Sequence, residues 1–277
     1  MAVKIGSAFP SLLAKGRPPI KPTYPLLTVL NLLRMNDIAA VPLFEGPTSR
    51  RAVSGSSCLP KIMKMSKKAF QSFLEGPCER GSTELDSFGL EDDIESLLEA
   101  FSKRRLGVSL VSGWVDGELC ISLLSLNDLL SLYQTKQFTS DLVVEDVASP
   151  ISSLPGKTTV RKALATMLRL SHRTVFISGD RKYVSDRTII DRIFDPSFLE
   201  PFHDGPLKRA FDTQIGSLTK TAPIEVGART SLRAAAHQVR SKWETSLTIR
   251  SREAVVTPWD LIMKPWEGGN LTIRPRP

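Results

Sequence analysis

The chain has 277 residues, with Lys plus Arg at 37 against Asp plus Glu at 29, a formal net charge of +8 and a pI near 9.5. Its 41% hydrophobic and 24% charged residues exclude large-scale disorder, and its length favours two or more compact units. The basic balance suits polyanions such as nucleotides or nucleic acid, but the excess is scattered. Cys58, Cys78 and Cys120 are widely spaced and without a CxxC pair, which points away from a disulfide framework and a thiolate metal site. No apolar run approaches the ~18 residues of a membrane span, so a cytoplasmic protein is expected.

In chain order, residues 1–19 read as a solvated N-terminal arm, with Lys4, Lys15 and Arg17 and no acidic residue. Four helical stripes follow. Val29, Leu32 and Leu33 begin the first, which Asn36 breaks; Ile94, Leu97, Leu98 and Phe101 form the second at i, i+3, i+4 and i+7. Val160, Ala163, Leu164 and Met167 make the third, and Leu232, Ala235, Ala236 and Val239 the fourth. Each stripe leads to a β-prone run: Ala40–Phe44, Val108–Val111, Thr174–Ile177 and Leu247–Ile249. Turn residues come next, at Glu45-Gly46-Pro47, Ser112-Gly113 with Asp116-Gly117, Ser178-Gly179-Asp180 and Arg250-Ser251-Arg252. A second short strand and a second helix then complete a unit of order strand, helix, strand, strand, helix.

The second helix of each unit opens on a recurring step, a small hydroxyl residue three positions before a carboxylate or its substitute. The copies are Thr257/Asp260 in AVVTPWDLIM, Ser125/Asp128 in SLLSLNDLLSL, Ser185/Thr188 in KYVSDRTIIDRI and, much degraded, Gly55/Cys58 in AVSGSSCLPKIM. Such a step is a capping box, with Pro258 suited to the first helical position. A helix N-terminus of this kind also favours anions, so contact with a ligand is the second reading of the step.

The repeats predict an α+β protein of four β-α-β-β-α units. A unit this small completes its core by pairing. The expected domains are a first pair at 20–140 (units about 20–70 and 84–140), a second at 141–268 (units about 141–198 and 212–268), and a C-terminal tail at 269–277. The stretches Ser66–Asp86 and Pro196–Phe211, rich in Gly, Pro and charge, read as connections.

With its opening TAPIEVGARTSLRAAAHQV, its mid-unit strand and its closing AVVTPWDLIM, the sequence resembles the CBS domain, whose members occur in tandem pairs called Bateman modules. The resemblance covers about residues 20 to 268. It is strongest in the third and fourth units, and the glycine usual in the family's closing step is Ala52, Ser122, Lys182 and Ala254 here. It implies four CBS-type units in two modules and a regulatory protein that binds AMP, ADP or ATP, with S-adenosylmethionine as a further candidate, and that signals occupancy to a protein partner. Self-association into a homodimer is a further expectation. By position, the ribose would fall to Thr257 and Asp260, to Ser125 and Asp128, and to Ser185; His172 and Arg173, in SHRTVFI, match a His-Arg that faces phosphate in nucleotide-sensing kinase γ subunits. The Thr257/Asp260 cleft is expected to bind best and the Gly55/Cys58 cleft to be empty or occupied in another way.

Among motifs, no Walker loop, HExxH or nucleophile elbow is present, so no enzyme is expected. Glu91-Asp92-Asp93 with Glu95 suits a helix N-terminus, and Trp259 and Trp266 suit packing between units. The alternative is a nucleic-acid-binding or scaffolding protein with vestigial clefts. Steep loss of binding with salt would mark it.

Overall fold

A computed structural model describes residues 2–13, 20–35, 40–46, 50–63, 65, 67–170, 174–180, 182–193, 211–218, 222–241, 246–250 and 253–275. The chain divides into two compact units: Met1–Pro18, Asp86–Ile151 and Pro223–Pro277 form the first, Pro19–Leu85 and Ser152–Ala222 the second. Each holds alternate repeats, the second with the fourth and the first with the third, and this grouping departs from the consecutive one (20–140, 141–268) expected from the connections. Connection length and polarity report how far a chain can travel; the apolar faces of the helices decide what it packs on. In the first unit the buried Tyr133 of repeat 2 donates to Leu261 O of repeat 4 at 2.7 Å, and Ser102 donates to Glu267 at 2.7 Å.

Within the first unit, Ser87–Gly89 runs parallel to Val108–Val115, which pairs antiparallel with Glu118–Ser125. Asp116 (φ 51°) and Gly117 (φ 83°) close that hairpin as a two-residue turn with both centres at positive φ. Gly113, expected in a turn, instead lies in the strand opposite Cys120. The first helix of repeat 2, Ile94–Arg104, buries the expected Ile94, Leu97, Leu98 and Phe101. In repeat 4, Ile224–Val226 is parallel to Leu247–Ile249, which pairs with Ala254–Val256; Ser149–Pro150 adds a fourth strand. Leu232, Ala235, Ala236 and Val239 are buried on the helix Leu232–Ser241.

Both ends of the chain belong to this unit's core. The expected solvated arm buries Val3, Ile5, Ala8 and Leu13. Its backbone is pinned to repeat 2 by Gly6 N–H to Leu90 O (2.8 Å) and by Ile94 N–H to Val3 O (3.0 Å). The segment before repeat 3 docks on repeat 4 in the same way, with Val144 N–H on Thr230 O (2.9 Å) and Glu145 N–H on Ala228 O (3.0 Å). An apolar lead-in segment laid against the start of a first helix thus occurs twice, and the first lead-in is the N-terminus itself. The expected tail at 269–277 also pairs: Thr272–Ile273 is antiparallel to Phe138–Thr139, with Leu271 buried.

In the second unit, Leu26, Val29, Leu30 and Leu33 line the buried face of the helix Leu26–Met35, whereas Leu32 is on its exposed side. The stripe keeps the expected spacing but begins three residues earlier. Ala40–Pro42 pairs with Arg51–Ser54, which pairs with Ser82–Glu84. Repeat 3 sets Ser153–Leu154 parallel to Thr174–Ile177 and antiparallel Tyr183–Ser185 beyond it. Its helix Val160–Leu170 buries Val160, Ala163, Leu164 and Met167. The stretch expected as a connection at 66–86 carries the helix Lys67–Glu75, whose Phe70, Phe73 and Leu74 are buried. Most of the 196–211 connection lies outside the described residues.

Candidate functional site

At the end of each return strand the backbone stays extended for one residue and then enters the closing helix, so one side chain caps the helix and the third helical residue folds back on it. In repeat 4, Thr257 (φ −110°, ψ 168°) precedes the helix Pro258–Glu267. Its N–H and hydroxyl donate to Asp260 Oδ2 at 2.8 and 2.7 Å, and Asp260 N–H donates to Thr257 Oγ1 at 3.3 Å. In repeat 2 the N–H and hydroxyl of Ser125 donate to Asp128 Oδ2 at 2.8 and 2.6 Å. In repeat 3, Thr188 N–H donates to the buried Ser185 Oγ at 3.0 Å, and the two hydroxyls lie 3.0 Å apart.

Repeat 1 corrects the sequence alignment by one residue. Its cap pair is Ser54 and Ser57, with reciprocal N–H to Oγ hydrogen bonds of 3.0 Å, and not Gly55 and Cys58. Cys58, one position on, points into the core, where its thiol donates to Gly81 O at 3.4 Å and burial pushes its pKa up to about 11. The missing carboxylate hid the register.

The two carboxylates of the first unit differ in what remains of them. Asp260 is 3% exposed, and its Oδ1 receives Ser149 Oγ at 2.7 Å and the Lys264 ammonium at 3.0 Å. Lys264 Nζ donates also to Val147 O (2.6 Å), Ser149 Oγ (2.8 Å) and Ala148 O (3.2 Å). Both oxygens of Asp260 are therefore filled from within the chain. Asp128 is half-buried, its hydrogen bonds are all on Oδ2, and its Oδ1 accepts no hydrogen bond or ion pair from a described residue. Leu132, buried in the core, stands where Lys264 stands in repeat 4.

His172 and Arg173 lie outside the described residues. His237 is on the first helix of repeat 4, where its Nδ1 is 3.2 Å from Gln134 Nε2, and Arg240 donates to Gln134 Oε1 at 3.1 Å. These side chains border an open cavity of about 500 Å³ lined by Gln134, Ser231, Arg233, Ala234 and His237. Ser246, fully buried, immediately precedes Leu247, which pairs with Val256; the register continued one step sets it opposite Thr257, and its hydroxyl has no hydrogen-bond partner among the described residues. Trp259 packs against the core with Arg105 over its ring at 5.5 Å, and Arg105 also pairs with Glu267. Asp93 stands at the N-cap position of the first helix of repeat 2, where its carboxylate makes no capping hydrogen bond and pairs instead with Lys4 at 2.9 Å, a structural use of the acidic run.

Sequence reading missed Lys264, Ser149 and Lys61. Lys61 sits in repeat 1 where Lys264 sits in repeat 4, and its ammonium donates to Arg80 O and Ser82 O at 2.8 Å each. The spacing of Asp260 and Lys264 is an i,i+4 helix pair and was visible as such. Their partners more than a hundred residues away were not.

Among the described residues no group of three or more His, Cys, Asp or Glu is placed to hold a metal ion, and no helix is long and apolar enough to cross a membrane. No protein-family model and no curated protein matches the chain. A solved structure from Methanocaldococcus jannaschii, described as a candidate archaeal homologue of γ-AMPK, matches 95% of this chain and 100% of its own at 13% identity with a TM-score of 0.79. A conserved protein of Pyrococcus horikoshii matches over 80% of this chain and 89% of its own, at 12% identity and TM-score 0.49. A CBS-domain protein of Pyrobaculum aerophilum, solved with AMP, matches over 46% of this chain and 90% of its own, at 17% identity and TM-score 0.35. At these identities the likeness is one of fold, and with the observed order of elements it gives the chain an α+β, CBS-type fold of four units.

Proposed function

Taking the CBS-type fold as the premise, we propose that the chain is a regulatory protein that binds an adenosine ligand, AMP, ADP or ATP with S-adenosylmethionine as a further candidate, and signals occupancy to a protein partner. The ribose is held by a hydroxyl–carboxylate step at the mouth of a closing helix. Ser125 and Asp128 form the step proposed for the ribose, Ser185 supplies a hydroxyl in repeat 3, and His172 and Arg173 are the candidates for phosphate; at Thr257/Asp260 both carboxylate oxygens already have partners from within the chain. The observation that carries this reading is Asp128: a half-buried carboxylate, oriented by two hydrogen bonds on Oδ2, with Oδ1 left for a diol.

The test is calorimetric titration of the full chain with AMP, ADP, ATP and S-adenosylmethionine at two salt concentrations, repeated with Asp128→Asn. One of these ligands binds the wild type, and the substitution weakens binding at least tenfold, because an amide offers one neutral acceptor where the carboxylate offered charge to both hydroxyls. Absence of binding by all four, with RNA or DNA bound in a manner that falls steeply with salt, assigns the basic surface to nucleic acid instead.

A further inference from the structure

We propose that Lys264 is the resident occupant of the Asp260 step: its ammonium ties the closing helix of repeat 4 to the lead-in strand of repeat 3 and keeps a neutral diol out. Four oxygens surround Nζ at 2.6–3.2 Å, from Val147, Ala148, Ser149 and Asp260. One is a buried carboxylate oxygen, and a second, Ser149 Oγ, is itself bonded to that carboxylate at 2.7 Å. An ammonium has three protons to donate, so these acceptors saturate it, and it neutralises the one charge the step contains. A sugar hydroxyl arriving at Asp260 would have to displace this cation and leave two backbone carbonyls and a serine without their donor. A neutral diol brings no compensating charge.

The same device recurs in repeat 1 without a carboxylate. Lys61, seven residues after the cap Ser54 as Lys264 is after Thr257, places its ammonium on Arg80 O and Ser82 O, carbonyls of the lead-in and strand that pair with its own sheet. Ser57 at the third helical position donates to Gly81 O at 2.6 Å. Helix-to-strand tying therefore does not require Asp260, and the carboxylate in repeat 4 is held by the tie. Repeat 2 has Leu132 at this position and no tie, and its carboxylate oxygen Oδ1 has no partner among the described residues. Lys264 thus sets which of the unit's two carboxylates a ligand can use.

This inference rests on the adenosine reading for its ligand but not for the tie, and two measurements separate them. The first is the number of AMP or ATP molecules bound per chain by wild type, Asp260→Asn, Lys264→Met and the double variant Lys264→Met/Asp260→Asn. Asp260→Asn leaves the wild-type titration unchanged; Lys264→Met gains one further site per chain, and the double variant loses it. The second is amide exchange at Ile151, whose N–H donates to Glu253 O just beyond the strand Ser149–Pro150. Lys264→Met accelerates it about tenfold, whereas Lys264→Arg, which keeps the charge, leaves it near wild type. Should Lys264→Met not fold, Lys264→Gln, with donors for the carbonyls and no charge for Asp260, serves the same comparison. Loss of wild-type binding on Asp260→Asn alone overturns the proposal, as does unchanged exchange in Lys264→Met. Faster exchange with no nucleotide bound by any variant upholds the tie and removes the adenosine reading.

Discussion

The closing helices of repeats 2 and 4 begin with the same capping box and differ four residues later. Leu132 turns into the core in repeat 2; Lys264 turns back over the step in repeat 4 and draws three residues of another repeat's lead-in onto it. One carboxylate is left half-buried with an oxygen that has no hydrogen-bond partner among the described residues, and the other has both oxygens bonded. A motif of hydroxyl and carboxylate defines a helix start, and whether that start can also serve a ligand is decided by the residue one helical turn beyond the carboxylate.

The comparison is broken most severely by Leu132→Ala, which removes the apolar partner that distinguishes repeat 2. A loss of about 2–5 kcal/mol in chemical denaturation is expected for a buried leucine. Next in size is the ligand effect: adenine nucleotide at a hundred times its dissociation constant stabilises a protein by about 2.7 kcal/mol, and Asp128→Asn should cut that gain to about 1.4 kcal/mol or less in a melting experiment while Asp260→Asn keeps it whole. Lys264→Met follows at about 1.5–3 kcal/mol without ligand, from the loss of hydrogen bonds to a charged group beside a buried carboxylate.

Cys58 sharpens the comparison from repeat 1, where it takes the place of Leu129 and Leu261. Its folded value of about 11 exceeds the ordinary 9.0 through burial, so the fold favours the neutral thiol. The contribution is complete below about pH 9 and is lost as pH rises through about 11, a decline of about 2.7 kcal/mol. Cys58→Ala should flatten that alkaline limb of the stability curve, whatever it costs at neutral pH. The smallest effect belongs to Lys61→Met, about 0.5–1.5 kcal/mol, because no buried carboxylate loses its counter-ion there. A cost equal to that of Lys264→Met would show that the carbonyls, and not Asp260, carry the value of the tie.

The sequence made the repeats readable because burial repeats with the period of the structure: three stripes were placed residue for residue, and two mid-strands, Thr174–Ile177 and Leu247–Ile249, have the expected bounds. The steps at Thr257, Ser125 and Ser185 were legible since capping is local. Repeat 1 slipped because neither Ser54 nor Ser57 carries charge, and a Cys read as a substitute for Asp pulled the alignment one residue forward. Val3, Ile5 and Ala8 were taken for solvated arm because their partners, Leu90 to Ile94, are about ninety residues on. Lys264 was legible as a helix pair and illegible as a tie for the same reason: three of its four acceptors come from residues 147–149.

Alternate repeats in each compact unit give the chain an order of assembly during synthesis. The stretch 19–85 must wait for 152–222 before its unit is whole, and Val3 to Ala8 belong to a unit that also needs the stretch 223–277. Elongation at ~5–20 residues per second leaves about ten seconds or more between those ends, during which the faces of repeat 2 await repeat 4. A contiguous half such as 141–267 would contain one half of each unit and release both with an uncovered apolar face. The unit formed by 19–85 and 152–222 can close once residue 222 is delivered, whereas the other waits for repeat 4, so a cell that stops translation early in repeat 4 is left with one completed unit and one open one.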